Sequence, residues 1–133
     1  MDLHEKFTYS FNITQEQVNQ FAELSGDTNP LHLDAEFAAQ TQFKKPIIHG
    51  IFSASIFSKV LGTQFPGAGS IYAGQEIKFL RPMYPSHPYE ARFEIVSIDE
   101  RRHSAQISTE VYDVETGKAT IKGVATVIHK EKF

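Results

Sequence analysis

The sequence predicts an α+β domain: one strand and three helical stretches, followed by four strands. Three observations carry this. Segments 70–80, 89–98, 103–114 and 119–129 are rich in β-branched and aromatic residues and are separated by RPMYPSHP, DERR and ETGK, which read as turns. The stretch 46–61, PIIHGIFSASIFSKVL, is apolar on nearly every face, as a helix enclosed by other structure would be. Helix stop and start signals flank the segments between.

Taken in order, KFTYSFNI at 6–13 alternates weakly and reads as a first strand. Thr14 and Gln17 have the spacing of a capping box, and Val18, Phe21, Ala22 and Leu24 share one helical face. Gly26 is placed to stop that helix, which gives Gln15 to Ser25. Asp34 can cap a short helix over Ala35 to Gln40. The apolar helix then runs from Pro46 to Leu61 with Gly62 at its end, and TQFPGAG turns the chain toward the strands. Those four strands are expected to form an antiparallel meander around the helix. The last strand has few charges on either face, as expected of a sheet edge that a partner subunit covers.

The 133 residues contain no linker-like stretch or repeat, which predicts a single domain over 1–133. Net charge is −3, and basic residues form no run longer than two, so no nucleic-acid partner is expected. The absence of cysteine excludes disulfides, thiolate metal sites and thiol nucleophiles. MDLHEKFTYSF has no signal-peptide or transit pattern, and no apolar run approaches the ~20 residues of a membrane span. A cytoplasmic protein without a membrane partner is the expectation.

The chemistry concentrates in SGDTNPLHLD, 25–34. Asp27 and His32 are five apart, which on a helix sets them about 140° around the axis. Gly26 and Pro30 instead predict a non-helical loop, in which the two can converge as an acid/base pair. On residues alone, Asx-turns at Asp27 and Asn29 explain the stretch at least as well. Ile-Ile-His-Gly at 47–50 opens the apolar helix, and the Gly50 N–H is a candidate donor to a carbonyl oxygen gaining charge, although close helix packing explains a glycine equally. Ser53, Ser55 and Ser58 are unusual in so apolar a helix; one of them need face a pocket. No metal is expected, since His32 and His49 lack ligand-like spacing and cysteine is absent. GAGS at 67–70 is no dinucleotide fingerprint, because a strand follows it. The histidines at 4, 87, 103 and 129 lie near strand ends or the terminus and are expected to be exposed.

SGDTNPLHLDAEFAA resembles the signature of the MaoC-like, (R)-specific enoyl-CoA hydratases, G-D-x-N-P-[hydrophobic]-H. FKKPIIHGIFSASIFSKVLG and PGAGSIYAGQEIKFLRP extend the resemblance across residues 20–84, as the central helix and following strand of short, single-domain members. It implies a hot-dog fold, an antiparallel sheet wrapped around a long helix, working as a homodimer. It also implies roles: Asp27 and His32 as the catalytic pair, Gly50 as donor to the thioester carbonyl, Ser58 rather than Ser53 or Ser55 lining the site, and Asn29 as a substrate-binding residue that fixes the loop and the water.

The reaction implied is reversible hydration of 2-trans-enoyl-CoA to (R)-3-hydroxyacyl-CoA, with coenzyme A entering only as part of the substrate and no separate cofactor. The pathway stays open between β-oxidation, polyhydroxyalkanoate monomer supply and other thioester routes. Three rivals stand beside it: dehydration of (3R)-hydroxyacyl groups on acyl carrier protein, which the acidic net charge does not favour; a hot-dog acyl-CoA thioesterase; and a non-catalytic acyl-CoA-binding module, which has no use for an acid/base pair. Candidates for sensing acyl length are Ile51, Phe52, Phe57, Phe65 and Tyr72.

Overall fold

A computed structural model describes residues 1–133. The elements are β1 (Lys6–Phe11), α1 (Gln15–Ser25), α2 (Pro30–Leu33), α3 (Ala35–Ala39), α4 (Gly50–Thr63), β2 (Ile71–Phe79), β3 (Tyr89–Asp99), β4 (Ser104–Asp113) and β5 (Ala119–Ile128). All five strands join one antiparallel sheet in the order β1-β3-β4-β5-β2.

This order corrects the expected four-strand meander. Only β3, β4 and β5 follow one another as neighbours; β2 lies beside β5, with Ile71 opposite Ile128 and Phe79 opposite Ile121. Consequently β5 is an inner strand, and its low charge reflects burial between β4 and β2 rather than a covered edge. The free edges belong to β1 and β2.

The local signals of α1 work as physical caps. The Thr14 hydroxyl accepts from the Gln17 N–H at 3.1 Å, the Gln17 side chain accepts from the Thr14 N–H at 3.0 Å, and Gly26 ends the helix at φ 79°. Thr14→Ala is expected to lower stability by about 1 kcal/mol, read as a reduced urea midpoint with unchanged slope.

α4 starts four residues later than the apolar run suggests. The Ile47 N–H donates to the Leu31 carbonyl at 3.3 Å and that of Ile48 to the Met83 carbonyl at 2.8 Å, so these residues tie α2 to the β2–β3 connection before the helix begins. The helix also continues through Gly62 to Thr63. Its buried residues, Ser53, Phe57, Val60 and Leu61, form one stripe against the sheet, with Phe57 edge-on to Phe93 at 5.8 Å between centroids. The opposite side is open: Ile51 is 66% exposed, and Ser55, Ser58 and Lys59 are exposed too. Burial all round is therefore not achieved within one chain.

The sheet's concave face supplies the other half of the core through alternating residues, among them Tyr89, Ala91, Phe93 and Ile95 on β3 and Ile107 and Val111 on β4. A sheet wrapped on one long helix is the hot-dog arrangement.

Candidate active site

The helix-loop-helix segment after α1 is shorter in loop than expected. Pro30–Leu33 forms a single helical turn, capped by Asn29, whose side-chain oxygen accepts from the Leu31 N–H at 3.0 Å. Only Gly26 to Asn29 connects the helices, and His32 sits on the turn of α2. Gln15 of α1 fastens that turn by donating to the His32 carbonyl at 2.9 Å. Asn29 itself is exposed and does not line the cavity described next.

A cavity of about 520 Å³ opens where α2, the start of α4 and the end of β2 meet. Asp27, His32, His49, Gly50 and Ser53 lie on its polar side; Ile48, Ile51, Phe79, Leu80, Met83 and Ile121 supply apolar wall. Arg81 also lines it, and its guanidinium donates to the Ala119 carbonyl at 2.6 Å. The first turn of α4 opens into the same space, and the His49 side chain makes no capping bond to it. A Cβ on Gly50 would lie 2.8 Å from the Phe79 ring, so glycine is what lets this helix end approach the wall.

Asp27 and His32 converge. A carboxylate oxygen of Asp27 and a ring nitrogen of each of His32 and His49 lie within 4.8 Å of one another. A water bonded to two acceptors at ordinary distances separates them by ~4.5 Å, so one water fits between such groups. The sequence spacing of His32 and His49 hides this cluster: their rings lie 3.9 Å apart, and with Asp27 they are also close enough to share a cation.

The tautomers follow from the acceptors. His32 Nδ1 lies 2.8 Å from the Ile47 carbonyl, which can only accept, so Nδ1 carries the hydrogen and Nε2 keeps the lone pair. His49 Nε2 lies 2.9 Å from the Asp27 carbonyl and donates to it. Burial is the largest influence on His32 and pushes its pKa below the usual 6.5; the bond to Ile47 opposes this, His49 reinforces it, and Asp27 opposes it. His32 is therefore a neutral acceptor near pH 7.

Ser58 is exposed and outside the cavity, whereas Ser53, 1% exposed, lines it. The phase of α4 decides this, since Ser53 shares the stripe of Phe57 and Val60. Of the candidates for sensing acyl length only Ile51 touches the cavity; Phe57 and Phe65 are core residues. His49 was considered in the sequence only as a metal ligand and not as a member of this site. The available signal was a histidine at a helix start, where Ser, Thr, Asp or Asn is the usual cap. His129 is buried, contrary to expectation, because its Nε2 donates to the Ala68 carbonyl at 2.9 Å.

Fold and cavity together define a hot-dog domain in which a carboxylate and two imidazoles line one side of a largely apolar pocket. The chain belongs to the MaoC-like domain family, whose model matches residues 2–119. It is 39% identical to an (R)-specific enoyl-CoA hydratase of Aeromonas caviae over 96% of this chain and 94% of that protein. Among solved structures, an (R)-hydratase from A. caviae involved in PHA biosynthesis superposes with a TM-score of 0.93, at 38% identity and 97% coverage of both chains. The R-hydratase PhaJ1 of Pseudomonas aeruginosa gives 0.92, at 33% identity, covering 99% of this chain and 84% of its own.

Proposed function

We propose that this protein is a hydro-lyase that adds water reversibly to 2-trans-enoyl-CoA, giving (R)-3-hydroxyacyl-CoA. The observation that carries the reading is the convergence of the Asp27 carboxylate with a neutral His32 whose Nε2 lone pair is free. The relatives named for this reaction supply the substrate class.

The thioester carbonyl rests against the N–H groups opening α4, Gly50 foremost, where enolate-like charge is stabilised as it forms. Asp27 and His32 each accept one O–H of the same water and turn its lone pair toward C3. As the O–C3 bond forms, Nε2 of His32 takes a water proton and the C2=C3 electron pair moves toward the carbonyl. The imidazolium then gives a proton to C2 on the same face, so the atoms balance and both groups return to their starting states. No cofactor is needed beyond the coenzyme A of the substrate.

A homodimer belongs to the same proposal. β2 leaves one edge unpaired, and Ile71, Tyr72, Phe79 and Leu80 on or beside it are exposed, as is Ile51 on the open side of α4. The cytoplasm is its proposed location; no helix is long and apolar enough to cross a membrane.

The test is loss of enoyl absorbance with crotonyl-CoA, followed by chiral analysis of the product. Wild type is expected to give the (R) product, and Asp27→Asn to lose roughly 10²-fold or more in rate. An (S) product, release of free thiol, or an Asp27→Asn variant as fast as wild type overturns the proposal.

A further inference from the structure

Two buried polar atoms in the cavity wall lack a hydrogen-bond partner, Nδ1 of His49 and Oγ of Ser53. Each belongs to a residue almost fully buried, at 2% and 1% exposure. Orphaned groups of this kind carry a desolvation cost of about 1–3 kcal/mol, so their presence calls for a reason. They are complementary. With Nε2–H committed to the Asp27 carbonyl, Nδ1 of His49 is an acceptor, and a serine hydroxyl is a donor that turns freely. The residues are four apart on one face of α4, joined by the bond from the Ser53 N–H to the His49 carbonyl at 3.0 Å.

His49 contributes nothing to its own helix as a cap, yet it is wedged in place by Phe21, edge-on at 4.8 Å, and by His32 at 3.9 Å. Its one hydrogen bond reaches 22 residues back to the loop that carries Asp27. That loop has few other anchors: the Asp27 N–H donates to the Ser25 hydroxyl at 3.1 Å, and the Thr28 N–H to the Gly26 carbonyl at 3.1 Å, both within the segment itself. The titratable and charged groups around His49 are Asp27 and His32, with Arg81 lining the same cavity.

We propose that His49 is a positioning residue: the Ser53 hydroxyl, turned about χ1, donates to Nδ1 and fixes the tautomer whose Nε2–H holds the Asp27 carbonyl, setting the Asp27 carboxylate opposite His32. The inference rests on the hydratase reading for its kinetic consequence, but the proposed chain from Ser53 through His49 to Asp27 can be tested without any substrate.

The experiment has two arms. In the first, ring nitrogen NMR shifts of His49 are measured in wild type and in Ser53→Ala. The expected result is an unprotonated, hydrogen-bonded Nδ1 in wild type that loses its hydrogen-bond shift in the variant; a protonated Nδ1, or shifts identical in both proteins, overturns the proposal whatever the enzyme does. In the second, hydration kinetics are compared for His49→Phe, which keeps a ring without donors, and His49→Gln, whose amide can again donate to the Asp27 carbonyl. His49→Phe is expected to lose roughly 10- to 100-fold in kcat with little change in KM, the usual effect of removing a hydrogen bond that orients a reacting group. His49→Gln is expected to recover most of that loss. Equal impairment in the two variants, or a change confined to KM, overturns the proposal. A wild type inert toward enoyl-CoA rejects the hydratase reading alone, and the NMR arm then decides the positioning chain.

Discussion

Replacing His32 with glutamine is expected to cut the hydration rate by roughly 10²–10⁴-fold, the range for losing one placed acid/base group. Glutamine retains polarity at the site but cannot take the water proton. The pH profile gives a second readout. Burial holds His32 below its ordinary 6.5, so the acid limb of wild-type kcat/KM should be centred below 6.5. That acid limb should vanish in the residual activity of His32→Gln. Linkage has the same direction: the unfolded chain protonates His32 before the folded one does, so the stability this group leaves intact above pH 6.5 is lost as pH falls toward its lowered native value. An acid limb centred above 6.5, or a variant within threefold of wild type (about 0.7 kcal/mol by the transition-state relation), contradicts the assignment.

Gly123→Ala should be the most damaging conservative change to the fold. Gly123 faces Thr109 on β4 and Ile77 on β2, and a Cβ there would stand 2.1 Å from the Glu76 carbonyl oxygen and 2.7 Å from Gln75 Nε2. The carbonyl is backbone, so relief requires parting β2 from β5. The Gln75 amide, which donates to the Thr109 hydroxyl at 2.9 Å, must give way as well. A loss of about 3 kcal/mol is expected from overpacking of this kind, measured by urea unfolding with the slope unchanged. A loss under about 1 kcal/mol would mean that the sheet absorbs the methyl group without strain.

What the chain reveals before folding depends on the range of the interaction. Thr14, Gln17 and Gly26 act within a few residues, and they locate α1 to its observed ends. The start of α4 is set by carbonyls of Leu31 and Met83, far away in sequence, so the apolar run at 46–49 reads as helix although it is not helical. The pairing of β2 with β5 skips two intervening strands, and nothing local records it. The motif around Asp27 and His32 was legible as a spacing and a pair of helix breakers, although the second of them, Pro30, itself opens a helical turn that carries His32. Ser53 and Ser58 look alike in sequence; only the face that the sheet covers tells them apart. His49 was weighed in the sequence only as a metal ligand, because its contact with the Asp27 loop spans 22 residues.

Phe79 and Leu80 stand at the end of the unpaired edge of β2 and also wall the cavity. In the proposed dimer, a partner pairing with that edge borders the pocket, and the length of chain the pocket admits is then decided jointly by two polypeptides. If that dimer forms, mutations that alter selectivity need not lie in the subunit whose Asp27 and His32 are proposed to act, and mixed dimers of two variants are expected to show selectivities belonging to neither parent.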